Sequence, residues 1–215
     1  MASTYITEVR VPSTTAEGKK YPVIFALHGI GYNEQDMISL VEELHDEFIV
    51  VGIRGNLTYE NGYAYYYLKN YGNPERELFD SSIENLLNVI EETTNQYPVD
   101  PSKRYLIGFS QGAILSMSLA LLLGEKIKGV VAMNGYIPNF LIEEFPIKSL
   151  NQTDVFLAQG GSDPIFPIKI GNETDEYLRK HAHAVKYVIY PAGHEISADT
   201  QVDLCRWLRI NAKNE

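Results

Sequence analysis

Arg104-Tyr105-Leu106-Ile107-Gly108-Phe109-Ser110-Gln111-Gly112-Ala113 runs from an apolar segment, through a serine flanked by two glycines, into a second apolar segment that continues to Leu123. The first segment reads as a buried strand and the second as a buried helix. Between them Gly108 and Gly112 stand two residues before and two after Ser110, the G-x-S-x-G spacing. That spacing has a steric cause. A serine on a very sharp strand-to-helix turn leaves no room for side chains at those two positions, and the turn pushes its hydroxyl outward. The following helix also aims free N–H groups at whatever the hydroxyl attacks. Ser110 is therefore the candidate nucleophile. A pentapeptide of this kind also arises by chance in Gly/Ser turns, so its neighbours must decide.

Further runs are apolar on consecutive positions: Val23 to Leu27, Phe48 to Ile53, Gly129 to Met133, Val155 to Ala158 and Val185 to Tyr190. Strands covered on both faces look like this, which predicts a parallel sheet. Tyr5 to Val11 alternates and reads as an outer strand. Helical spacing appears over Met37–Leu44, over Ile83–Ile90 between Pro74 and Pro98, over Ile168–His181 and over Ala198–Ile210. Strands alternating with helices predict a mostly parallel central sheet of about seven strands with helices on both faces. In such sheets ligands bind beyond the carboxyl ends of the strands. No linker divides the chain, so residues 1–215 are expected to form one α/β domain.

An unassisted serine needs a base, and the base needs an orienting carboxylate. With the nucleophile on this kind of turn, the fold is the α/β-hydrolase fold and the chain order is Ser, Asp or Glu, then His. His28 and His45 precede Ser110. His181 and His183 end a helical pattern. His194 follows the last strand in Tyr190-Pro191-Ala192-Gly193-His194-Glu195 and is the candidate base. Asp163, in Gly160-Gly161-Ser162-Asp163-Pro164, follows the strand Val155 to Ala158 and is the candidate acid. Asp154 lies at the wrong end of that strand, and Asp175 and Glu176 sit inside a helix. Negative charge on a reacting carbonyl needs two donors. Leu27-His28-Gly29-Ile30-Gly31 ends another strand and assigns one to the backbone N–H of Ile30; the other is the backbone N–H of Gln111. His28 reads as a structural residue of that turn.

Taken in order, these pieces resemble the phospholipase/carboxylesterase family, which includes acyl-protein thioesterases and small bacterial carboxylesterases. Leu27 through Gly31, Gly108 through Ala113, Asn134-Gly135-Tyr136-Ile137-Pro138, Gly160 through Phe166-Pro167 and Gly193-His194 carry the resemblance, which spans about Tyr21 to Leu208. It implies hydrolysis of carboxylic or thioester bonds with no cofactor and no metal. Two departures stand out. Where the family often has tryptophan, this chain reads Tyr63-Ala64-Tyr65-Tyr66-Tyr67. Where it often has serine, the chain has Asn134. Both are expected to face the acyl pocket. The segment from Asn61 to Tyr71 holds five tyrosines, whose apolar rings and polar tips suit an ester beside water. Tyr65, Tyr136 and Phe166 are the candidate substrate contacts.

The expected activity is a serine carboxylesterase on short- to medium-chain esters. An acyl-protein thioesterase or lysophospholipase is the alternative, ahead of a peptidase or a non-catalytic ligand-binding protein. With 18 basic against 28 acidic residues and a net charge of −10, no basic patch invites nucleic acid. The single cysteine, Cys205, reads as a small buried hydrophobe and gives no disulfide. The longest apolar stretch, Ala113 to Leu123, is too short to span a membrane. The start of the chain lacks the layout of a signal peptide. A cytoplasmic enzyme on a small-molecule ester is expected, without stable membrane insertion, and a homodimer is left open.

Overall fold

In the computed structural model, which describes residues 5–13, 18–70 and 72–213, the apolar runs become neighbouring strands. The strands are β1 (Ile6–Arg10), β2 (Tyr21–Leu27), β3 (Ile49–Arg54), β4 (Leu57–Tyr59), β5 (Gly62–Ala64), β6 (Leu68–Asn70), β7 (Asn73–Pro74), β8 (Val99–Phe109), β9 (Gly129–Met133), β10 (Leu150–Gly160) and β11 (Ala182–Tyr190). The helices are α1 (Glu34–Leu40), α2 (Arg76–Gln96), α3 (Gln111–Leu123), α4 (Asn139–Glu144), α5 (Ile168–His181) and α6 (Ala198–Lys213). Seven strands form one sheet in the order β1-β3-β2-β8-β9-β10-β11. Only β1 runs antiparallel. This is the α/β-hydrolase architecture expected from the sequence.

The unbroken apolar runs have a simple cause. Successive residues of a strand point to opposite faces, and here both faces are covered. Val23, Phe25 and Leu27 of β2 join Leu106 of β8 and Val130 of β9 in a core closed by α2, α3 and α5. Ile24 and Ala26 join Ile107, Phe109 and Met133 in a second core closed by α1 and α6. Helix α3 lies against the middle of the sheet and is buried from Gln111 through Leu121, which explains why it is apolar all round.

Some bounds differ from the expectation. β8 begins at Val99 and β10 at Leu150; both of these residues are buried, but the stretches that follow them, Asp100–Arg104 and Asn151–Asp154, are mostly polar and for the most part at least partly exposed, and so carry no apolar signature. The segment Met37–Leu44 is a helix that ends at Leu40 followed by a 3₁₀ turn over Glu42–Leu44. The tyrosine-rich stretch is not a plain loop, since β4 and β5 form a hairpin and β6 pairs with β7. Tyr71 lies outside the described residues. Among the described residues no helix is long and apolar enough to cross a membrane.

Candidate active site

The turn at Ser110 has the strain its spacing implies. Ser110 adopts φ 51° and ψ −113°, a conformation non-glycine residues rarely take. The strain is held from both sides. The Ser110 N–H donates to Met133 O at 2.9 Å, and Ser110 O accepts from the N–H groups of Ala113 and Ile114 at 3.0 and 3.1 Å.

Two loops from neighbouring strand ends meet Ser110. After β10 the chain turns at Gly160, where a side chain would collide with Gly193 O at 2.0 Å. This close approach lets Gly161 N–H donate to Tyr190 O (2.8 Å) and Ser162 N–H donate to Ala192 O (3.0 Å). The two loops are thus laced together. His194 Nδ1 lies 2.8 Å from Asp163 Oδ2, and His194 Nε2 lies 2.8 Å from Ser110 Oγ. An ionised carboxylate only accepts, so Nδ1 carries the proton and Nε2 is left to accept from the Ser110 hydroxyl. Asp163 has no exposed side-chain surface. Burial pushes its carboxyl up, but the N–H of Phe166, the ring of His194 and the N–H of Ile165 outweigh burial and hold it below the usual carboxylate range. Phe109 and Phe166 flank the His194 ring, with centroids 5.1 and 5.2 Å away.

The turn after β2 faces the start of α3. Among the described residues, the backbone N–H groups of Ile30 and Gln111 donate no hydrogen bond to another loop or turn. The β4–β5 hairpin supports this turn. Gly31 N–H donates to Tyr63 O and Tyr63 N–H to Tyr32 O, each at 2.9 Å. His28 is fully buried. Its Nδ1 lies 2.7 Å from Gly29 O and its Nε2 accepts from Gly55 N–H at 3.0 Å, which fixes a neutral tautomer with the proton on Nδ1. Burial is the main reason its pKa is lowered.

Two sequence expectations change here. Tyr65 does not face a substrate. Its side chain is 1% exposed, stacks on His28, donates its hydroxyl proton to Ile53 O at 2.6 Å and accepts from His28 N–H at 3.2 Å. A tyrosine with both hydroxyl roles engaged inside the core is a strut. Asn134 likewise does not line an acyl pocket. It is 2% exposed and its amide points at Asp163. The sequence reading also gave Gln111 weight only through its backbone. Its side chain fastens the tyrosine segment, accepting from Tyr65 N–H and donating to Tyr66 O, both at 2.8 Å.

Tyr136 and Phe166 are brought together, with ring centroids 5.4 Å apart. Tyr136 borders a cleft of about 430 Å³ with Phe140 and Tyr177. Phe109, Tyr32, Met37, Asp36 and Glu195 border a second cleft of about 380 Å³. Cys205 is buried, and burial is the main cause that pushes its thiol up to about 12, the opposite of a nucleophile's environment. Among the described residues no group of three or more His, Cys, Asp or Glu is arranged to hold a metal.

The sequence model of the phospholipase/carboxylesterase family matches residues 10–212. Acyl-protein thioesterase 1 of Debaryomyces hansenii is 28% identical, over 96% of this chain and 97% of that protein. The crystal structure of a Bacillus cereus carboxylesterase superposes with a TM-score of 0.84 at 24% identity, over 97% of this chain and 95% of that one. Acyl-protein thioesterase 2 of Zea mays superposes with a TM-score of 0.76 at 20% identity, over 96% and 99% of the two chains. The structural likenesses speak to the fold, and the match along nearly the whole sequence speaks to descent. On that match the chain belongs to the phospholipase/carboxylesterase family and is a hydrolase of ester bonds.

Proposed function

We propose that this protein is a serine carboxylesterase acting on short- to medium-chain esters through Ser110, His194 and Asp163. The observation that carries the reading is the unbroken chain from Ser110 Oγ through His194 to Asp163, with both hydrogen bonds at 2.8 Å. His194 Nε2 takes the Ser110 proton as Oγ attacks the ester carbonyl. The carbonyl oxygen becomes an oxyanion held by the N–H groups of Ile30 and Gln111. The protonated His194 then gives its proton to the leaving alcohol, which departs and leaves an acyl group on Ser110. Water, deprotonated by His194, attacks the acyl carbonyl; the bond to Ser110 Oγ breaks, His194 returns its proton to Oγ and the acid is released. Tyr136 and Phe166 contact the substrate. No cofactor or metal enters any step.

The acyl-protein thioesterases among its relatives favour a second reading, in which the natural substrate is a thioester. The same residues serve either bond. The reading takes the enzyme as cytoplasmic, and size-exclusion chromatography decides between monomer and homodimer. The central test is Ser110→Ala. The variant should fold normally, lose turnover of p-nitrophenyl butyrate and lose covalent labelling by a fluorophosphonate. Retained turnover would sink the assignment. Matched oxoester and thioester series of graded acyl length then choose between the two readings.

A further inference from the structure

Asn134 is an anomaly in three respects. It is one of three non-glycine residues with positive φ among the described residues, at 50°, the others being Glu60 and Ser110. It is buried, yet polar. Its side chain reaches across two loops, donating to Asp163 Oδ2 at 2.7 Å and to Gly193 O at 3.1 Å. Its backbone N–H is spent too, donating to Ala158 O of β10 at 2.9 Å. One residue at the end of β9 therefore ties the acid loop, the residue preceding His194 and a neighbouring strand. Asparagine tolerates the left-handed conformation better than most residues, and its amide has two protons to donate.

The partners of Asp163 show what this tie does. Oδ1 accepts from Ile165 N–H and Phe166 N–H at 2.8 and 2.9 Å. Oδ2 accepts from His194 at 2.8 Å and from Asn134. Four donors occupy a carboxylate that has about four acceptor positions, so it cannot turn away from His194. The Asn134 amide also puts partial positive charge on the same oxygen that faces the imidazole. The Gly193 contact holds the His194 loop in register.

Building on the proposed serine-hydrolase reading, we propose that Asn134 is a positioning residue of the hydrolytic machinery, clamping Asp163 and the His194 loop so that His194 stays aimed at Ser110. Among the described residues, the other titratable groups near His194 are Glu195 in its own loop, Asp36 and Tyr32 on the cleft that Glu195 also borders, and Tyr136 behind Phe166. Phe109 and Phe166, which contact the ring directly, carry no charge.

Two variants test this. Asn134→Gly keeps the backbone conformation accessible and removes the clamp. Asn134→Asp is nearly isosteric and sets a second carboxylate against Asp163. Such a pair shares a proton, and once that proton leaves, the added charge holds one on His194. With p-nitrophenyl butyrate, Asn134→Gly should lower kcat about tenfold or more with KM little changed, the size of one lost hydrogen bond to a charged group. Asn134→Asp should move the acid-side midpoint of the kcat/KM profile up by about one pH unit. Circular dichroism and thermal melts verify that each variant is folded. Folded variants with parental kcat and an unmoved midpoint overturn the proposal. So does a loss that merely follows the folded fraction while the midpoint stays put. Fluorophosphonate labelling of the parent separates the two levels. Absence of label on Ser110 refutes the serine-hydrolase reading, whereas label on Ser110 with unmoved variants refutes the role of Asn134.

Discussion

Gly108 and Gly112 face each other across the Ser110 turn so closely that a Cβ on Gly108 would lie 2.2 Å from the carbonyl carbon of Gly112. A Cβ on Gly112 would in turn lie 2.1 Å from Leu27 O, at the end of β2. Both obstacles are backbone, so no side-chain rotation relieves them. Gly108→Ala or Gly112→Ala must push α3 away from the sheet. On the proposed mechanism, that shift also moves the Gln111 N–H away from the oxyanion it would hold. Overpacking of this kind costs about 1–3 kcal/mol or more. Urea unfolding should show that loss for each variant, with esterase activity falling further than the folded fraction. Parental stability in both variants would mean that the turn relaxes easily.

Tyr65 makes a different prediction from a substrate-contacting tyrosine. Tyr65→Phe keeps the ring against His28 but leaves Ile53 O and His28 N–H without their partner in a buried site. Leaving buried polar groups unpaired costs about 1–3 kcal/mol. The variant should unfold at lower urea concentration, while KM for p-nitrophenyl esters stays at the parental value. A raised KM with unchanged stability would return Tyr65 to the substrate pocket.

The sheet was legible because burial on both faces writes itself as continuous apolar runs. That Ser110, Asp163 and His194 would meet was legible because each follows a strand and their order matches the fold. What escaped was tertiary. Nothing local in Tyr63-Ala64-Tyr65-Tyr66-Tyr67 separates a ring aimed at solvent from one buried beneath the Ile30 turn. The hydroxyl partners Ile53 and His28 lie 12 and 37 residues away. Asn134 escaped for the same reason. Its partner Asp163 is 29 residues on, and only the adjacency of β9 and β10 brings them together. The side chain of Gln111 pairs with residues 45 and 46 positions earlier, invisible to any window along the chain.

His28 supplies a pH test of the turn itself. Burial lowers its pKa, so between its folded value and the unfolded value of about 6.5 the unfolded chain binds more protons. Stability therefore rises with pH through that window, and falls as pH drops below about 6.5. Each such group contributes a slope of at most about 1.4 kcal/mol per pH unit. Protonating Nε2 would set a donor against the Gly55 N–H, which already points at it. In His28→Gln, a carbonyl can still accept from Gly55 but cannot titrate. Unfolding free energies measured by urea from pH 7.5 down to 5 should decline in the parent, with a shallower decline in the variant. Equal slopes in the two proteins would show that His28 does not stay neutral by virtue of its burial, and that the acid sensitivity lies with another group.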